Sequence, residues 1–186
     1  MTRRDLPNLI SVLRMLLVLP VVALLVTEHY RGALLLFGLA GLSDALDGFL
    51  AKRYGWTSRL GAVLDPLADK ILLVSSYIAL GWLRLLPLWL VAAVIVRDLV
   101  IVIGAAGYWV RVERLDIAPS RLSKLNTLTQ IILVLAVVFH QGVVALPALS
   151  LRLLVYAVLV TTLLSGLDYV WTWGRRACRA GRERRV

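Results

Sequence analysis

The chain has 186 residues, of which 60% are hydrophobic, and its mean hydropathy is +0.85. A soluble globular domain averages roughly 45–50% apolar residues, so this composition excludes an ordinary soluble domain and indicates a membrane protein. No polar segment is long enough to fold separately, which predicts one transmembrane domain over residues 1–174 and a basic cytoplasmic tail over 175–186. The single cysteine, Cys178, lies in that tail and gives no support for a disulfide framework.

Six segments have about the length and apolar character of a transmembrane helix, which needs about 20 largely apolar residues. In chain order they are Leu6–Val26, Ala33–Leu50, Leu64–Leu83, Leu86–Val110, Leu122–Phe139 and Leu146–Trp173. All six are predicted to be helices, because an open sheet cannot satisfy its backbone hydrogen bonds in lipid. The predicted fold is therefore all-α, an integral membrane bundle of six transmembrane helices.

The basic residues are distributed unevenly between the two sides of this bundle. The chain has 21 Lys and Arg against 11 Asp and Glu, a formal net charge of +10. Most of the basic residues precede the first helix, follow the second and fourth, or lie in the tail, whereas Arg31 and Arg84 fall in loops of the other side. This asymmetry predicts that both termini are cytoplasmic. The arginine-rich tail suits an anionic lipid surface, so no nucleic-acid partner is predicted.

Four aspartates lie on the second and third predicted helices, where a carboxylate costs roughly 2.5–3.5 kcal/mol near the bilayer centre. Asp44 and Asp47 are three residues apart, and Asp65 and Asp69 are four apart, so each pair shares one helix face. If the two helices are neighbours, four carboxylates converge on one cavity. Such oxygen ligands favour Mg²⁺, Mn²⁺ or Ca²⁺ over zinc, which prefers nitrogen and sulfur.

Small and basic residues accompany the aspartates. Gly48 and Gly61 would let a ligand approach the backbone closely, and Ala51 leaves room on the same wall. Lys52 and Arg53 place positive charge beside the acidic cluster. Metal ions, small side chains and a cation together predict a site for a diphosphate attached to a flat base, in which the metals bridge the phosphate oxygens.

The order and spacing of these residues resemble the signature of the CDP-alcohol phosphatidyltransferase family. The matching pattern is Asp44-x2-Asp47-Gly48-x2-Ala51-Lys52-x8-Gly61-x3-Asp65-x3-Asp69. One position departs, because the family usually has arginine where this chain has Lys52, and Arg53 follows directly. Members have six transmembrane helices with the motif on the second and third, so the resemblance extends over most of the chain. It implies a metal-dependent transferase that moves the phosphatidyl group of CDP-diacylglycerol to an acceptor hydroxyl and releases CMP.

The resemblance also implies roles for individual residues. The four aspartates would hold two ions, Mg²⁺ or Mn²⁺, and Asp69 would also be the general base that takes the proton of the acceptor hydroxyl. The residues implied to bind CDP-diacylglycerol are Asn8, Gly48, Ala51, Lys52 and Gly61. Asn8 belongs to this set because Asn8 and Arg14, within residues 7–14, resemble the opening of phosphatidylglycerol-pathway members of the family. The alternative for Asn8 is an interfacial polar residue without a binding role. The active site would lie near the cytoplasmic face, and the family resemblance suggests a homodimer.

Two basic residues outside the motif are candidates for binding a phosphate on the acceptor. Arg97 lies beside Asp98 within the fourth predicted helix, where the alternative is an intramembrane ion pair without a binding role. Lys124 lies at the start of the fifth helix, where a cation and free backbone N–H groups both favour anions.

The same two regions bear on the identity of the acceptor. Arg97-Asp98 and the stretch 123–127, Ser-Lys-Leu-Asn-Thr, resemble the cardiolipin synthases of this family, whereas its phosphatidylglycerophosphate synthases more often have Arg-Glu at the first position. The resemblance therefore favours phosphatidylglycerol as the acceptor, giving cardiolipin, with glycerol 3-phosphate as the alternative. A divalent-cation transporter that uses the same carboxylates is a remote alternative, because the sequence shows no inverted repeat of the kind found in many transporters.

Overall fold

The protein is all-helical throughout the part of the chain that the computed structural model describes. The backbone is described for residues 6–54, 61–111 and 120–183, and the side chains for residues 13–43, 68–104 and 120–171. The helices are α1 (Leu6–Val26), α2 (Tyr30–Tyr54), α3 (Gly61–Trp82), α4 (Leu88–Arg111), α5 (Arg121–Gly142) and α6 (Ala148–Glu183). No strand occurs in these backbone ranges. The predicted all-α class and the six predicted helical segments are confirmed.

Two helices in the described part of the chain are long and apolar enough to cross a membrane, Arg121–Gly142 and Ala148–Trp171, and shorter apolar stretches cover Leu13–Val26 and Tyr30–Ser43. Large apolar side chains are exposed on α1 through α6, among them Leu19, Trp82 and Leu149. Soluble monomers rarely expose contiguous apolar patches above a few hundred Å². These exposed side chains therefore agree with a surface that lipid covers.

The chain divides into two compact units, and the first comprises Met1–Leu86 with Val134–Leu146. In it α1 packs against both α2 and α3. The buried core side chains of this unit include Val21 and Leu25 of α1 and Tyr77 of α3. The helix α1 is thus the common neighbour of the two helices that carry the aspartates.

The second unit comprises Pro87–Leu133 with Pro147–Val186, and in it α4 packs against α6. The hydroxyl of Tyr169 donates a hydrogen bond to the backbone oxygen of Ile101 at 3.0 Å. The ring of Tyr169 also lies over Gly104, where an added Cβ atom would come within 2.9 Å of it. A glycine at this position therefore permits the close approach of α4 and α6.

The ends of the helices follow from local sequence. The Oγ of Ser120 accepts a hydrogen bond from the backbone N–H of Ser123 at 3.2 Å, so Ser120 caps the N-terminus of α5. At the C-terminal ends of α1 and α3 the chain turns through Glu28 and Arg84, whose φ angles are 59° and 58°. Glycine is the usual residue in such a left-handed terminating position. The helix α6 continues beyond the apolar segment to Glu183 because Ala, Arg and Glu are good helix formers.

Candidate active site

The four motif aspartates lie on two helices of the first unit, Asp44 and Asp47 on α2 and Asp65 and Asp69 on α3. The backbone is helical at all four positions, and residues three or four apart in a helix belong to one face. Seven of the predicted metal-binding and nucleotide-binding residues fall outside the described side chains, namely Asp44, Asp47, Asp65, Asn8, Gly48, Ala51 and Lys52. Gly61 is the first residue of α3, and its burial and contacts also lie outside the described part of the chain.

The structure does describe the side chain of Asp69, the predicted general base. Its Oδ1 accepts a hydrogen bond from Nη1 of Arg14 at 2.6 Å, which forms an ion pair between α3 and α1. The side chain of Arg14 is 2% exposed and that of Asp69 is 47% exposed. The carboxylate is therefore held by a buried cation while it stays accessible.

Arg14, which contacts Asp69, is a residue to which the sequence assigned no role. Asn8 and Arg14 carry the resemblance of residues 7–14 to related enzymes, but the resemblance implies a role for Asn8 alone. The available signal was physical, since a charged side chain inside an apolar helix needs a partner or a polar cavity. The sequence could not identify that partner, because Asp69 lies 55 residues away.

Arg97, the predicted acceptor-binding residue, lies buried in the second unit. Its Nη1 donates to Oδ1 of Asp98 at 2.7 Å. Its Nη2 donates to Oγ of Ser123 at 2.8 Å and also to Oγ of Ser165. The structure thus contains the ion pair between Arg97 and Asp98. Two serines, Ser123 of α5 and Ser165 of α6, bind the same guanidinium. The role in acceptor binding stays a prediction.

Lys124 lies in the first turn of α5, as predicted, and its side chain is exposed. Its backbone N–H donates to the oxygen of Ser120 at 3.1 Å, which is the first hydrogen bond of the helix. The ammonium group is thus presented at the N-terminal end of α5, where the helix dipole favours anions.

A polar contact between α5 and α6 continues from the serines that bind Arg97. The Oδ1 of Asn126 accepts hydrogen bonds from Thr161 at 3.0 Å and from Thr162 at 2.9 Å. Asn126 follows Ser123 by three residues on α5, and Thr162 precedes Ser165 by three on α6, so each pair shares a helix face. Sequence reasoning missed this contact, although polar residues at helical spacing in two apolar helices were a usable signal.

The chemistry of the donors bears on whether the site suits a metal ion. Among the described side chains, no group of three or more His, Cys, Asp or Glu is placed to hold one. That set contains Asp69 but not the side chains of the other three motif aspartates. The motif supplies carboxylate oxygens, the ligands that Mg²⁺ and Mn²⁺ prefer, and the exposed carboxylate of Asp69 is one of them. This donor set fits a hard divalent cation.

Comparison with known proteins identifies the family. The family model described as CDP-alcohol phosphatidyltransferase matches residues 4–170. The cardiolipin synthase (CMP-forming) of Rattus norvegicus is 34% identical over an aligned length of 188 residues. The alignment covers 91% of this chain and 61% of that protein. The Homo sapiens protein of the same name is 37% identical over 148 residues, 70% of this chain and 48% of that protein. This chain thus spans less than two thirds of either relative.

A bacterial relative is covered more fully. The probable phosphatidylglycerophosphate synthase of Mycobacterium tuberculosis (strain ATCC 25618 / H37Rv) is 32% identical over 184 residues, 90% of this chain and 82% of that protein. The chain belongs to the CDP-alcohol phosphatidyltransferase family.

Proposed function

We propose that this chain transfers the phosphatidyl group of CDP-diacylglycerol to an acceptor hydroxyl, releases CMP, and uses phosphatidylglycerol as the acceptor. The observation that carries this proposal is the family match over residues 4–170 in a chain that keeps all four motif aspartates. The product would then be cardiolipin, as the names of the rat and human relatives indicate for those proteins.

In the proposed reaction, Asp69 is the general base that acts on the acceptor hydroxyl. As the acceptor oxygen attacks the phosphorus of the phosphatidyl group, the Asp69 carboxylate takes its proton, and the bond to the CMP oxygen breaks. The exposure of Asp69 supports this role, because a base must reach the hydroxyl that it deprotonates. Mg²⁺ or Mn²⁺, held by Asp44, Asp47, Asp65 and Asp69, would supply charge neutralisation on the diphosphate and leaving group.

The residues proposed to bind CDP-diacylglycerol come from three helices of one unit. Asn8 lies on α1, Gly48, Ala51 and Lys52 lie on α2, and Gly61 begins α3. The packing of α1 against α2 and α3 supports a common site for them. Lys52 would contact the diphosphate at the position where the family usually has arginine, and the glycines would admit the cytidine.

Arg97 and Lys124 are proposed to bind the phosphate of the acceptor. Arg97 offers a buried guanidinium, a group that can bind phosphate oxygens through two parallel hydrogen bonds, and Lys124 offers an exposed cation in the first turn of α5. Both phosphatidylglycerol and glycerol 3-phosphate carry a phosphate, so these residues do not separate the two acceptors. Glycerol 3-phosphate is retained as the second candidate because the mycobacterial relative is covered over 82% of its length.

The chain is proposed to cross the membrane six times, with both termini and the active site on the cytoplasmic side, and to function as a homodimer. The exposed apolar side chains on all six helices support the crossings. The distribution of basic residues supports the orientation. In this arrangement Arg31, Arg84 and Arg152, near the start of α6, would lie on the opposite side. The transmembrane domain would cover 1–174 and the basic tail 175–186, and the helix α6 continues into this tail as far as Glu183.

The acceptor is tested with purified protein and CDP-diacylglycerol labelled in its phosphatidyl group. Phosphatidylglycerol and glycerol 3-phosphate are offered separately with Mg²⁺, and the labelled lipid product is identified. We expect labelled cardiolipin with phosphatidylglycerol and little product with glycerol 3-phosphate. Formation of phosphatidylglycerophosphate alone would assign the second candidate function instead.

A further inference from the structure

Arg14 forms a contact that the proposed reaction does not by itself require. Its side chain is almost completely buried on α1, yet its guanidinium donates to Asp69, whose side chain is about half exposed. An ion pair that only neutralises charge in an apolar interior would be expected to bury both partners. Here the buried partner supports a carboxylate that remains accessible.

The geometry of the contact constrains the Asp69 carboxylate. The 2.6 Å separation of Arg14 Nη1 and Asp69 Oδ1 is that of a short charge-assisted hydrogen bond. An aspartate side chain otherwise rotates about two bonds, so a contact from a second helix limits which way its oxygens face. A carboxylate accepts at both oxygens, which makes this contact compatible with metal ligation and with proton acceptance by Asp69.

We propose that Arg14 is a positioning residue for Asp69, which holds the carboxylate in the orientation that metal binding and catalysis require. This inference rests on the proposed function for the roles of Asp69, but the contact itself belongs to the structure. Hydrogen-bonding partners of metal ligands commonly affect metal affinity or activity by about 10–100-fold when they are replaced. The opposing possibility is that Arg14 only balances the negative charge of the motif.

The test compares Arg14→Lys with Arg14→Met, and measures Mn²⁺ affinity by electron paramagnetic resonance and CMP release by steady-state kinetics. Lysine keeps the charge but not the planar guanidinium, whereas methionine removes the charge. A positioning role predicts that Arg14→Lys weakens Mn²⁺ binding and lowers kcat by about 10-fold or more, with the KM for CDP-diacylglycerol little changed. A charge-balancing role predicts that Arg14→Lys behaves as wild type and that Arg14→Met binds Mn²⁺ more tightly.

The control variant is Arg31→Lys, because Arg31 lies in the same unit and donates to the backbone oxygen of Gly142, away from the motif. It should leave both Mn²⁺ affinity and kcat unchanged. The effect of Arg14→Lys should also disappear in an Asp69→Asn background, where the residue to be positioned has been replaced. Equal losses in the two backgrounds would overturn the proposal. If Arg14→Met does not fold, the Arg14→Lys comparison in the two backgrounds decides alone.

The two proposals can fail separately in this experiment. If the wild type binds Mn²⁺ but releases no CMP, and Arg14→Lys still weakens binding, the proposed reaction fails and the positioning role stands. If the wild type is active and Arg14→Lys matches it in both measurements, the positioning role fails alone. A wild-type protein that binds no Mn²⁺ contradicts both.

Discussion

At the scale of single residues, Asp69 connects the family motif to the described structure. It lies on α3, its carboxylate is exposed, and a buried arginine from α1 holds one of its oxygens. These are properties expected of a side chain that must meet a substrate in a fixed orientation. The other residues of the motif lie on the helices α2 and α3.

Replacing Asp69 with Asn tests its role as the base. We expect Asp69→Asn to lower kcat by about 10²–10⁴-fold, because an amide can ligate weakly but cannot accept a proton. Binding of CDP-diacylglycerol should remain measurable by equilibrium titration. A folded variant that keeps more than about half of the wild-type rate would show that another group takes the proton.

Replacing Arg97 with Lys tests acceptor binding. Lysine cannot reproduce the planar guanidinium that reaches Asp98, Ser123 and Ser165 together. We expect Arg97→Lys to raise the acceptor KM or lower kcat by about 10-fold, the equivalent of one hydrogen bond to a charged group. The affinity for CDP-diacylglycerol should change little. Steady-state kinetics with each substrate varied in turn makes the measurement.

The double variant Arg97→Leu/Asp98→Leu separates acceptor binding from a purely structural ion pair. Replacement of a whole buried pair by apolar residues is often neutral for stability. A structural pair would therefore leave a stable and active enzyme, whereas an acceptor-binding arginine could not be rescued in this way. Normal turnover of phosphatidylglycerol or glycerol 3-phosphate by the double variant would remove Arg97 from the site.

The two arginines show what sequence can reveal at this scale. The pairing of Arg97 with Asp98 could be considered from the sequence because two opposite charges within one apolar helix both need partners. The pairing of Arg14 with Asp69 was not, because helical periodicity relates residues within one segment and contains no information about which segments meet. The two serines that bind Arg97 lie on two other helices, so their contacts with Arg97 could not be predicted for the same reason.

At the scale of helices, hydropathy located all six, because each apolar run is bounded by short polar or basic links. It was less informative about their ends. The C-terminal end of α6 lies in the basic tail, where helix propensity and not hydropathy decides. The close approach of the first residues of α2 to the end of α5 depends on Gly142, whose importance no local pattern revealed.

Two glycine substitutions test this packing. A Cβ atom at Gly142 would lie 2.8 Å from Cβ of Tyr30 and 3.0 Å from the backbone nitrogen of Arg31, whereas at Gly38 it would meet nothing within 4 Å. We expect Gly142→Ala to destabilise the protein by about 1–3 kcal/mol through overpacking. Gly38→Ala, the matched control within α2, should be neutral or stabilising by up to about 1 kcal/mol. Unfolding of both variants in detergent provides the measurement, and similar effects would contradict the described packing.

At the scale of the whole molecule, composition predicted a helical membrane protein, and the structure shows helices with exposed apolar side chains. The sequence could not reveal that the chain forms two compact units, or that α1 packs against both motif helices. Those contacts depend on the complementarity of side chains on different helices, which periodicity within one helix does not describe. The number of membrane crossings and the orientation remain predictions.

The orientation can be tested with the native cysteine, since Cys178 is the only one in the chain and lies near the C-terminus. We expect a membrane-impermeant maleimide to label Cys178 in inside-out vesicles and not in intact cells, because the basic tail is predicted to be cytoplasmic. The control is Cys178→Ser combined with Val144→Cys, in the exposed link between α5 and α6, which should show the opposite pattern. Labelling of Cys178 in intact cells would reverse the proposed topology.

The most direct test of a metal-dependent phosphatidyl transfer by this chain is CMP release from CDP-diacylglycerol by purified protein, with and without divalent cations. We expect rapid release when phosphatidylglycerol and Mg²⁺ or Mn²⁺ are both present, because the motif offers carboxylate oxygens for these ions. EDTA should abolish release, and added Mg²⁺ or Mn²⁺ should restore it. Full turnover by the metal-stripped enzyme would contradict the proposed role of the four aspartates.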